Sequence, residues 1–284
     1  MIVYPNIKIN IGLSITGKRP DGFHNIESVF VPVNWTEVLE VVPRGSTTEK
    51  PEVATGFAEQ GKARFFSYGI EIPGEAADNL CLRVFKALEG WYDLPPTDIH
   101  LLKSTPIGAG LGGGSADAAL CLRALVEFYD LRISDVEAMK LLEGIGSDCP
   151  FFWKNSPQFV YGKGEKMRPL ELDLSAYYIL LVYPNLGIST KEAYAGIVPK
   201  APAIDLELAV SLPVDQWKDM LQNDFEKSLF PVYPELAGIK KELYDMGALY
   251  AQMSGSGSTL YGIFKDKPTV PDHWSEFPTW VGKL

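Results

Sequence analysis

The sequence predicts an α+β fold, in which strands and helices follow one another without regular alternation. The first signal is a period of two near the N-terminus, where isoleucine or leucine occupies every second position from Ile7 to Ile15. The second signal is apolar residues at helical spacing, which begin only near residue 79. No internal repeat and no regular β–α–β–α order is present, so the fold class follows from a strand-rich order with interspersed helices.

The N-terminal half predicts strands first. Ile7–Ile15 is expected to be a half-buried strand, because lysine, asparagine, glycine and serine alternate with its apolar residues. Further strands are predicted at Val29–Val33, Glu37–Val42, Phe65–Ile72 and 98–103. Residues 43–63 lack periodicity and predict a variable loop. Helices are predicted at Asn79–Trp91, with Leu80, Val84, Phe85 and Leu88 on one face, and at 115–129.

Beyond residue 130, Ser134 is placed to cap a helix that runs to about Glu143 and that Gly144 and Gly146 end. The remaining predicted elements are strands at Gln158–Tyr161 and Tyr177–Val182, helices at Asp215–Gln222 and Tyr233–Met246, and a closing strand pair at Leu249–Met253 and Thr259–Phe264. The apolar run that follows Asp148 is strand-like.

The segment Pro106–Ala119 carries the strongest functional signal. Five glycines fall between Gly108 and Gly114, and Ser115 then opens a run of good helix formers. Glycines let backbone N–H groups approach a ligand closely, and a helix that begins there adds unpaired N–H groups and the positive end of its dipole. An apolar strand before the loop and an apolar helix after it argue against a flexible linker. The segment therefore predicts a cradle for a polyphosphate.

Two common phosphate loops do not fit this segment. The chain has no Gly-x-x-x-x-Gly-Lys-[Ser/Thr] motif, which argues against a P-loop NTPase. Gly108-x-Gly110-x-x-Gly113 matches the dinucleotide-binding pattern, but the acids that follow, Glu127 and Asp130, lie in or just after the predicted helix and not at the end of a second strand. Protein-kinase signatures are absent as well.

Composition describes an ordinary globular protein of 284 residues, 46% hydrophobic and 22% charged. The net charge of −10 argues against nucleic acid and anionic membranes as partners. An anionic substrate would then need a local basic patch. Its candidate residues are Lys8, Lys18, Arg19, Lys103 and Lys163.

Cysteine usage and hydropathy predict a cytoplasmic protein. Cys81, Cys121 and Cys149 show no metal-type spacing, and reduced, buried thiols are predicted, most clearly for the first two. The chain has neither an N-terminal apolar signal region nor an uninterrupted run of 18 apolar residues.

The glycine segment resembles the Pro-x-x-x-Gly-Leu-Gly-Ser-Ser-Ala-Ala signature of the GHMP kinases, a family that includes galacto-, homoserine, mevalonate and phosphomevalonate kinases. The variant Gly-Gly-Ser-Ala-Asp is typical of the branch that phosphorylates diphosphocytidyl methylerythritol in non-mevalonate isoprenoid synthesis. Three more segments resemble that branch: Ile7–His24, Gly146–Phe152 and Ser254–Ser258. The resemblance runs from about residue 6 to residue 262.

The resemblance implies a two-lobed kinase, with lobes at 1–155 and 156–284 and the active site in the cleft between them. It implies ATP and Mg²⁺ as cofactors. Asn79 and Lys103 would border the nucleotide base, although either residue fits an ordinary surface position as well. The remaining nucleotide-binding residues would be Pro106, Gly108, Gly110, Leu111, Gly112, Gly113, Gly114, Ser115 and Ala116.

Two charged residues are the catalytic candidates. Asp148 alone would be read as a turn or cap aspartate, but the resemblance of its whole segment makes it the general base. Lys8 alone would be placed in solvent, whereas the family has a lysine here beside the catalytic aspartate, where a cation favours the ionised carboxylate. Asn10 shares the face of Lys8 and should contact substrate. Ser115 fits an N-cap, a phosphate contact or a Mg²⁺ ligand, and no acidic Mg²⁺ ligand is identifiable.

Acceptor recognition is expected from the segments Asp21–His24 and Ser189–Tyr194. The family uses the positions of Phe23 and Tyr194 to stack on cytosine, and His24 can hydrogen-bond the base. Thr190 is the other predicted substrate contact. Core packing is the alternative for both aromatic residues, and it is weaker for Phe23, which lies in a polar, turn-like context.

Three alternatives stay open from sequence. These alternatives are a GHMP kinase of another small alcohol, a nucleotide-binding relative without turnover and, least favoured, an NAD(P)-linked oxidoreductase. The Arg-Pro-Asp-Gly-Phe-His segment argues against the first, and the presence of both Lys8 and Asp148 argues against the second. The sequence leaves a monomer and a homodimer equally open.

Overall fold

The computed structural model describes residues 1–45 and 51–284, and these residues form two compact units. Unit one comprises Met1–Ile7, Thr36–Ile107 and Gly113–Asn155. Unit two comprises Lys8–Trp35, Gly108–Gly112 and Ser156–Leu284. The predicted division into lobes at 1–155 and 156–284 stays a prediction. Two segments from the first 155 residues, Lys8–Trp35 and Gly108–Gly112, group with the C-terminal half of the chain.

Unit one contains a five-stranded mixed sheet in the order β1-β4-β7-β6-β5. Its strands are β1 (Ile2–Val3), β4 (Val38–Pro43), β5 (Gly56–Gln60), β6 (Ala63–Gly69) and β7 (Thr97–Lys103). The pair β6–β7 is parallel, and the other three pairs are antiparallel. Branched and aromatic residues of the central strands, such as Val41, Phe65 and Ile99, are buried and form the sheet side of the core.

Four helices complete unit one: α1 (Leu80–Glu89), α2 (Gly113–Phe128), α3 (Asp135–Ile145) and α4 (Cys149–Lys154). Asn79 caps α1 by accepting a hydrogen bond from the Cys81 amide, and Ser134 and Glu137 form a capping box at the start of α3. Helix α2 packs against the other three helices and against β4. Its alanines allow this close approach on several sides.

Unit two contains two four-stranded sheets. The first has the order β2-β3-β8-β9, with β2 (Asn6–Lys18), β3 (His24–Thr36), β8 (Gln158–Gly162) and β9 (Lys166–Pro169). The second is fully antiparallel in the order β11-β12-β10-β13, with β10 (Tyr178–Val182), β11 (Tyr250–Met253), β12 (Leu260–Phe264) and β13 (Thr279–Lys283).

Four further helices belong to unit two: α5 (Thr190–Ala195), α6 (Leu206–Val210), α7 (Asp224–Leu229) and α8 (Pro234–Asp245). Its hydrophobic core includes Leu180, Phe225, Leu236 and Leu260, which come from sheet and helices alike. Each of the short helices α5, α6 and α7 begins at a capping side chain, which accepts a hydrogen bond from an amide in the first turn. These capping residues are Ser189, Asp205 and Asn223.

The α+β class is confirmed, and most predicted elements exist within a few residues of their expected ends. The closing strand pair is confirmed as β11 and β12. All three cysteines are free and buried, as predicted. Within the described ranges, no helix has the length and apolar character that crossing a membrane requires.

Two strand predictions need correction. Strand β2 is not half-buried, because every residue from Asn6 to Leu13 is buried on both faces. The predicted loop at 43–63 contains β5, which pairs antiparallel with β6. Its sequence, Gly-Phe-Ala-Glu-Gln, has weak strand propensity, so pairing and not composition makes it a strand. Residues 46–50 of that prediction lie outside the described part of the chain.

Two predictions around helices are also wrong. The helix at Asp215–Gln222 is only a 3₁₀ turn at Val214–Gln216, followed by the buried Trp217, whose indole N–H donates to the Leu212 carbonyl at 2.9 Å. The strand-like run after Asp148 is helix α4, in which Phe151 and Phe152 are buried and Pro150 occupies the first turn, a position that tolerates proline.

Candidate active site

The glycine loop Gly108–Gly112 belongs to unit two and requires glycine at several positions. Gly108, Gly110 and Gly112 have φ of 67°, 78° and 71°, in the left-handed region that side chains disfavour. A Cβ atom on Gly110 would also lie 2.1 Å from the Ser254 carbonyl oxygen, whereas Gly108 has no atom within 4 Å of its Cβ position. The backbone is therefore tight on one side at Gly110 and open at Gly108.

Hydrogen bonds fix the loop from two directions within unit two. The Lys8 amide donates to the Leu111 carbonyl at 2.9 Å, and the Ser254 hydroxyl donates to the Gly110 carbonyl at 2.9 Å. The Thr259 amide donates to the Ala109 carbonyl at 3.3 Å. These contacts come from β2 and from the C-terminal glycine motif. The loop is a fixed structure, and the flexible-linker alternative is wrong.

Helix α2 begins at Gly113, directly after this loop. Ser115 is therefore its third residue and not its N-cap, so the capping alternative for Ser115 is wrong. Burial raises the pKa of the neighbouring Cys149 thiol to about 11, while a hydrogen bond with Ser115 acts in the opposite direction. The first-turn amides of α2 and its dipole favour an anion after the loop.

Lys8 and Asn10 lie on β2 in a connected polar network, and both are buried, at 4% and 1% exposure. The Lys8 ammonium donates to Asn10 Oδ1 at 2.6 Å and to the Gly110 carbonyl at 3.3 Å. Asn10 Nδ2 donates to the Ser28 hydroxyl at 2.9 Å. The solvent position that the strand alone suggested for Lys8 is wrong, because the glycine loop covers the polar face of β2.

Asp148 lies in unit one at the N-cap position of α4, but its side chain accepts no capping hydrogen bond from that helix. The Ser147 hydroxyl donates to Asp148 Oδ1 at 3.4 Å. The side chain is only partly buried. The cap alternative is therefore wrong.

A buried charge cluster lies beneath the first turn of α2. The Lys103 ammonium donates to Glu37 Oε2 at 2.8 Å and to Asp117 Oδ2 at 2.7 Å, and the Thr105 hydroxyl donates to Glu37. A Cβ on Gly113 would come within 3.1 Å of the Lys103 ammonium. Burial raises the pKa of Asp117 well above its usual range, although Lys103 opposes the shift.

Lys103 and Asn79, the two residues predicted to border the nucleotide base, both make structural contacts within unit one. The surface alternative for Lys103 is wrong, since it is 3% exposed. Asn79 has a structural role as the cap of α1. Their predicted positions beside a nucleotide base stay predictions.

The segment predicted to recognise the acceptor, Asp21–His24, lies at the turn between β2 and β3. The Arg19 amide donates to the Phe23 carbonyl at 2.8 Å, and the Arg19 guanidinium pairs with Asp21 at 3.1 Å. Asp21 Oδ1 accepts the Phe23 amide at 3.1 Å, and Gly22 adopts φ of 86°. This closed turn leaves the Phe23 ring 56% exposed, so core packing of Phe23 is wrong.

The aromatic ring of Tyr194 lies near that turn, on α5. It stacks on the His24 ring, with centroids 4.7 Å apart and planes at 21°, and it meets Phe225 edge-on at 4.9 Å. Tyr194 also packs partly against the core of unit two, so its core alternative holds in part. Thr190 is the first residue of α5 and is exposed.

Sequence reasoning did not identify Glu37 and Asp117 of the buried cluster in unit one, or Ser28 and Tyr261, which bond to Asn10 in unit two. Asp117 carries a signal, because it lies four residues before the buried Cys121 on the apolar side of α2. The others bond through pairings distant in sequence, such as the Tyr261 hydroxyl with the Asn10 carbonyl at 2.7 Å. No local pattern marks these contacts.

The residues present fit the phosphates of a nucleotide. The glycines of the loop adopt left-handed backbone conformations, the space beside Gly108 is open, and the loop is followed directly by the N-terminus of helix α2. In the described part of the chain, no group of three or more histidine, cysteine, aspartate or glutamate side chains could hold a metal ion.

The family models match both halves of the chain. The model for the N-terminal domain of GHMP kinases covers residues 79–156, and the model for their C-terminal domain covers residues 207–278. The first includes the glycine loop, the buried cluster residues Lys103 and Asp117, and Asp148.

Curated relatives extend over the full length. The chain is 43% identical to 4-diphosphocytidyl-2-C-methyl-D-erythritol kinase of Parabacteroides distasonis, with 100% of both chains covered. It is 44% identical to the protein of the same name from Bacteroides thetaiotaomicron, over 96% of this chain and 95% of the relative.

Solved structures give the same result. A crystal structure of 4-(cytidine 5'-diphospho)-2C-methyl-D-erythritol kinase matches with a TM-score of 0.79 at 27% identity, covering 99% of this chain and 98% of the other. Mevalonate kinase of Methanococcus jannaschii, at 13% identity and a TM-score of 0.66 over 100% of this chain and 98% of the other, shares the fold. On its glycine loop and on these full-length relatives, the chain belongs to the GHMP kinase family and is an ATP-dependent small-molecule kinase.

Proposed function

We propose that this protein transfers the γ-phosphoryl group of ATP to a hydroxyl of 4-diphosphocytidyl-2-C-methyl-D-erythritol, giving the 2-phosphate and ADP. The proposal places the protein in non-mevalonate isoprenoid synthesis. Its main support is that relatives 43% identical over the whole chain carry the name of that kinase.

The glycine loop and the first turn of α2 are proposed to bind the donor phosphates. The residues assigned to this role are Pro106, Gly108, Gly110, Leu111, Gly112, Gly113, Gly114, Ser115 and Ala116. Mg²⁺ would neutralise charge on those phosphates, with Ser115 as its side-chain contact. The fixed loop geometry supports this assignment, because a phosphate cradle must hold its amides in place before the ligand binds.

Two side chains are proposed to act on the transferred group. Asp148 accepts the proton of the acceptor hydroxyl, which the resemblance of its segment Gly146–Phe152 to the catalytic segment of the family supports. Lys8 stabilises negative charge that develops on the phosphoryl group, and its bond to Asn10 at 2.6 Å holds the ammonium in place. Asn10 is assigned to the substrate side of the same network.

The acceptor is proposed to bind at the turn between β2 and β3. Phe23 provides an exposed aromatic face for cytosine, His24 a hydrogen bond to the base, and Tyr194 a second ring. Thr190 is the proposed polar contact on α5. Phe23 is 56% exposed on a turn that hydrogen bonds close, so its ring is accessible to a flat base, and this observation favours the assignment.

The test is a coupled ADP-release assay over a panel of alcohols: the diphosphocytidyl alcohol, mevalonate and homoserine. ADP release with the diphosphocytidyl alcohol alone is expected. Faster release with mevalonate or homoserine would identify another GHMP small-alcohol kinase. ATP binding without release on any acceptor would identify a non-catalytic relative.

A further inference from the structure

Strand β2 lies at the edge of its four-stranded sheet, and side chains on or next to strands β11 and β12 bond to its backbone. The Asn10 amide donates to the Ser254 hydroxyl at 3.3 Å, and the Asn10 carbonyl accepts a hydrogen bond from the Tyr261 hydroxyl at 2.7 Å. The Gly12 amide donates to Gln252 Oε1 at 2.9 Å. A buried strand edge must satisfy its amides and carbonyls, so these side chains take the place of a neighbouring strand.

The backbone of β2 is irregular directly after Asn10 and Ile11. Gly12 adopts φ of 61°, in the left-handed region, and a Cβ there would lie 2.6 Å from Leu206 Cδ1. A residue of this conformation interrupts the regular pairing of a strand. The position of Asn10 therefore depends on its own bonds, and the bond from Tyr261 is the shorter of the two that its backbone makes to Ser254 and Tyr261.

Tyr261 is built to hold this bond in one direction. The residue is fully buried, and its ring meets the Tyr250 ring at a centroid distance of 6.1 Å and an interplanar angle of 60°. Burial raises the pKa of the Tyr261 hydroxyl well above its usual value, so the hydroxyl keeps its proton and stays a donor. Its contact with Gln252 Oε1 is longer, at 3.4 Å, which leaves the Asn10 carbonyl as the closer acceptor.

Asn10 connects this bond to the candidate catalytic lysine. Its Oδ1 accepts the Lys8 ammonium at 2.6 Å, and its Nδ2 donates to the Ser28 hydroxyl at 2.9 Å. A shift of the Asn10 backbone would therefore move the oxygen that holds the ammonium. A misplacement of about 1 Å at a reacting group can cost about 10²-fold in rate.

We propose that Tyr261 is a positioning residue, whose hydroxyl holds the Asn10 backbone and thereby keeps the Lys8 ammonium where phosphoryl transfer requires it. The inference rests on the proposed function, because it assumes that Lys8 acts on the transferred phosphoryl group. It assigns a role to a residue that lies outside the four segments that carry the family resemblance.

The test compares Tyr261→Phe, which keeps the ring and removes the hydroxyl, with Tyr244→Phe. Tyr244 is the matched control, because its hydroxyl also donates to a backbone carbonyl, that of Ala251 at 3.2 Å, but on β11 and not on β2. The measurements on the full-length protein are kcat, the dissociation constants of ATP and of the diphosphocytidyl alcohol by calorimetry, and the midpoint of thermal unfolding.

Tyr261→Phe should lower kcat by about tenfold and leave both dissociation constants within about twofold of wild type. Tyr244→Phe should change kcat by less than about twofold. Both variants should lower the midpoint of unfolding, because each leaves a carbonyl without its hydrogen bond. Lys8→Arg keeps the cation, and its combination with Tyr261→Phe should cost less than the product of the two single losses, because both changes act on the same group.

An unchanged kcat in Tyr261→Phe would overturn the proposal. Equal losses of kcat in the two tyrosine variants would overturn it as well, because turnover would then follow stability alone. Losses that multiply fully with Lys8→Arg would remove the connection through Lys8. Wild-type turnover in Lys8→Met would instead contradict the role proposed for Lys8, and a wild-type protein that phosphorylates no alcohol of the panel would contradict the proposed function itself.

Discussion

At the scale of single residues, the candidate site depends on polar groups held in unusual positions. Lys8 and Asn10 are buried on a strand, whereas Phe23 is exposed on a turn. Each position runs against the ordinary preference of its residue type, and each is maintained by specific hydrogen bonds. Such exceptions are expected where binding, and not stability, has set the residue.

Replacing Asp148 with asparagine should remove turnover and leave ATP binding intact. Loss of a general base lowers kcat by about 10²–10⁴-fold, whereas the donor phosphates are assigned to the glycine loop. The measurement is kcat together with the ATP dissociation constant. Asp135→Asn is a control in the same unit, since Asp135 is exposed and pairs only at the surface with Lys154 and Trp153. Near-normal turnover in Asp148→Asn would remove Asp148 from the role of base.

Replacing Phe23 with alanine should raise the acceptor KM and leave the KM for ATP close to wild type. Loss of stacking on a base costs about 1–3 kcal/mol. Steady-state kinetics with each substrate varied in turn check the split. Trp91→Ala removes a comparable aromatic ring that is 51% exposed in unit one, and it should change neither KM. An unchanged acceptor KM in Phe23→Ala would contradict a cytosine site at this turn.

At the scale of elements, the glycine loop and the buried ion pairs fix the backbone on which the site depends. Gly110 fits only without a side chain, because the Ser254 carbonyl lies against it. In unit one, Arg64 of β6 and Asp98 of β7 are register partners in the parallel pair, and their side chains form two hydrogen bonds at 2.7 and 2.6 Å. A single substitution at Gly110, or at either residue of the Arg64–Asp98 pair, can therefore disturb the local backbone geometry.

Gly110→Ala should weaken ATP binding strongly, because its Cβ would meet the Ser254 carbonyl and its φ of 78° disfavours a side chain. Calorimetric titration with ATP measures the effect. Gly144→Ala is the control, since Gly144 lies within α3 with no atom within 4 Å of its Cβ position and should gain up to about 1 kcal/mol of stability. Unchanged ATP affinity in a folded Gly110→Ala protein would place the donor site elsewhere.

The Arg64–Asp98 pair should make stability depend on pH in the acid range. Burial alone would raise the pKa of Asp98, but hydrogen bonds from Arg64 and from the Gly45 amide lower it below its usual value. A lowered pKa stabilises the fold above the unfolded value of about 3.9, and this contribution is lost as pH falls through the folded pKa.

Asp98→Asn tests this dependence, because it removes the negative charge that pairs with the buried Arg64 guanidinium. The variant should lose about 3–5 kcal/mol at pH 7. The difference in the free energy of unfolding between wild type and variant should shrink as the pH falls below about 4. A difference that stays constant down to pH 2 would show that the Asp98 charge contributes nothing.

At the scale of the whole molecule, the sequence predicts the fold class and the turn-rich glycine loop well, because both rest on local patterns. Period-two alternation identifies β2, and clustered glycines identify the loop that precedes helix α2. Burial of Lys8 is not predictable in this way, since it depends on Leu111 and Gly110 from a loop about a hundred residues away. The cluster of Lys103, Glu37 and Asp117 likewise forms only when β7, helix α2 and the residue between β3 and β4 come together.

The same limit explains the element errors. Strand β5 forms because β6 pairs with it, although its own composition favours a loop. Helix α4 contains Phe151 and Phe152, whose run of apolar residues resembles a strand until their burial in unit one is known. Local propensity is a weak predictor wherever tertiary packing supplies the larger free energy.

The measurement that tests the central claim most directly compares kcat/KM for the diphosphocytidyl alcohol with kcat/KM for methylerythritol phosphate, which lacks the cytidyl group. Stacking contacts at Phe23 and Tyr194 should favour the cytidyl substrate by at least about tenfold, with the ATP KM unchanged. Equal kcat/KM values with and without the cytidyl group would contradict the assignment and identify a generic small-alcohol kinase.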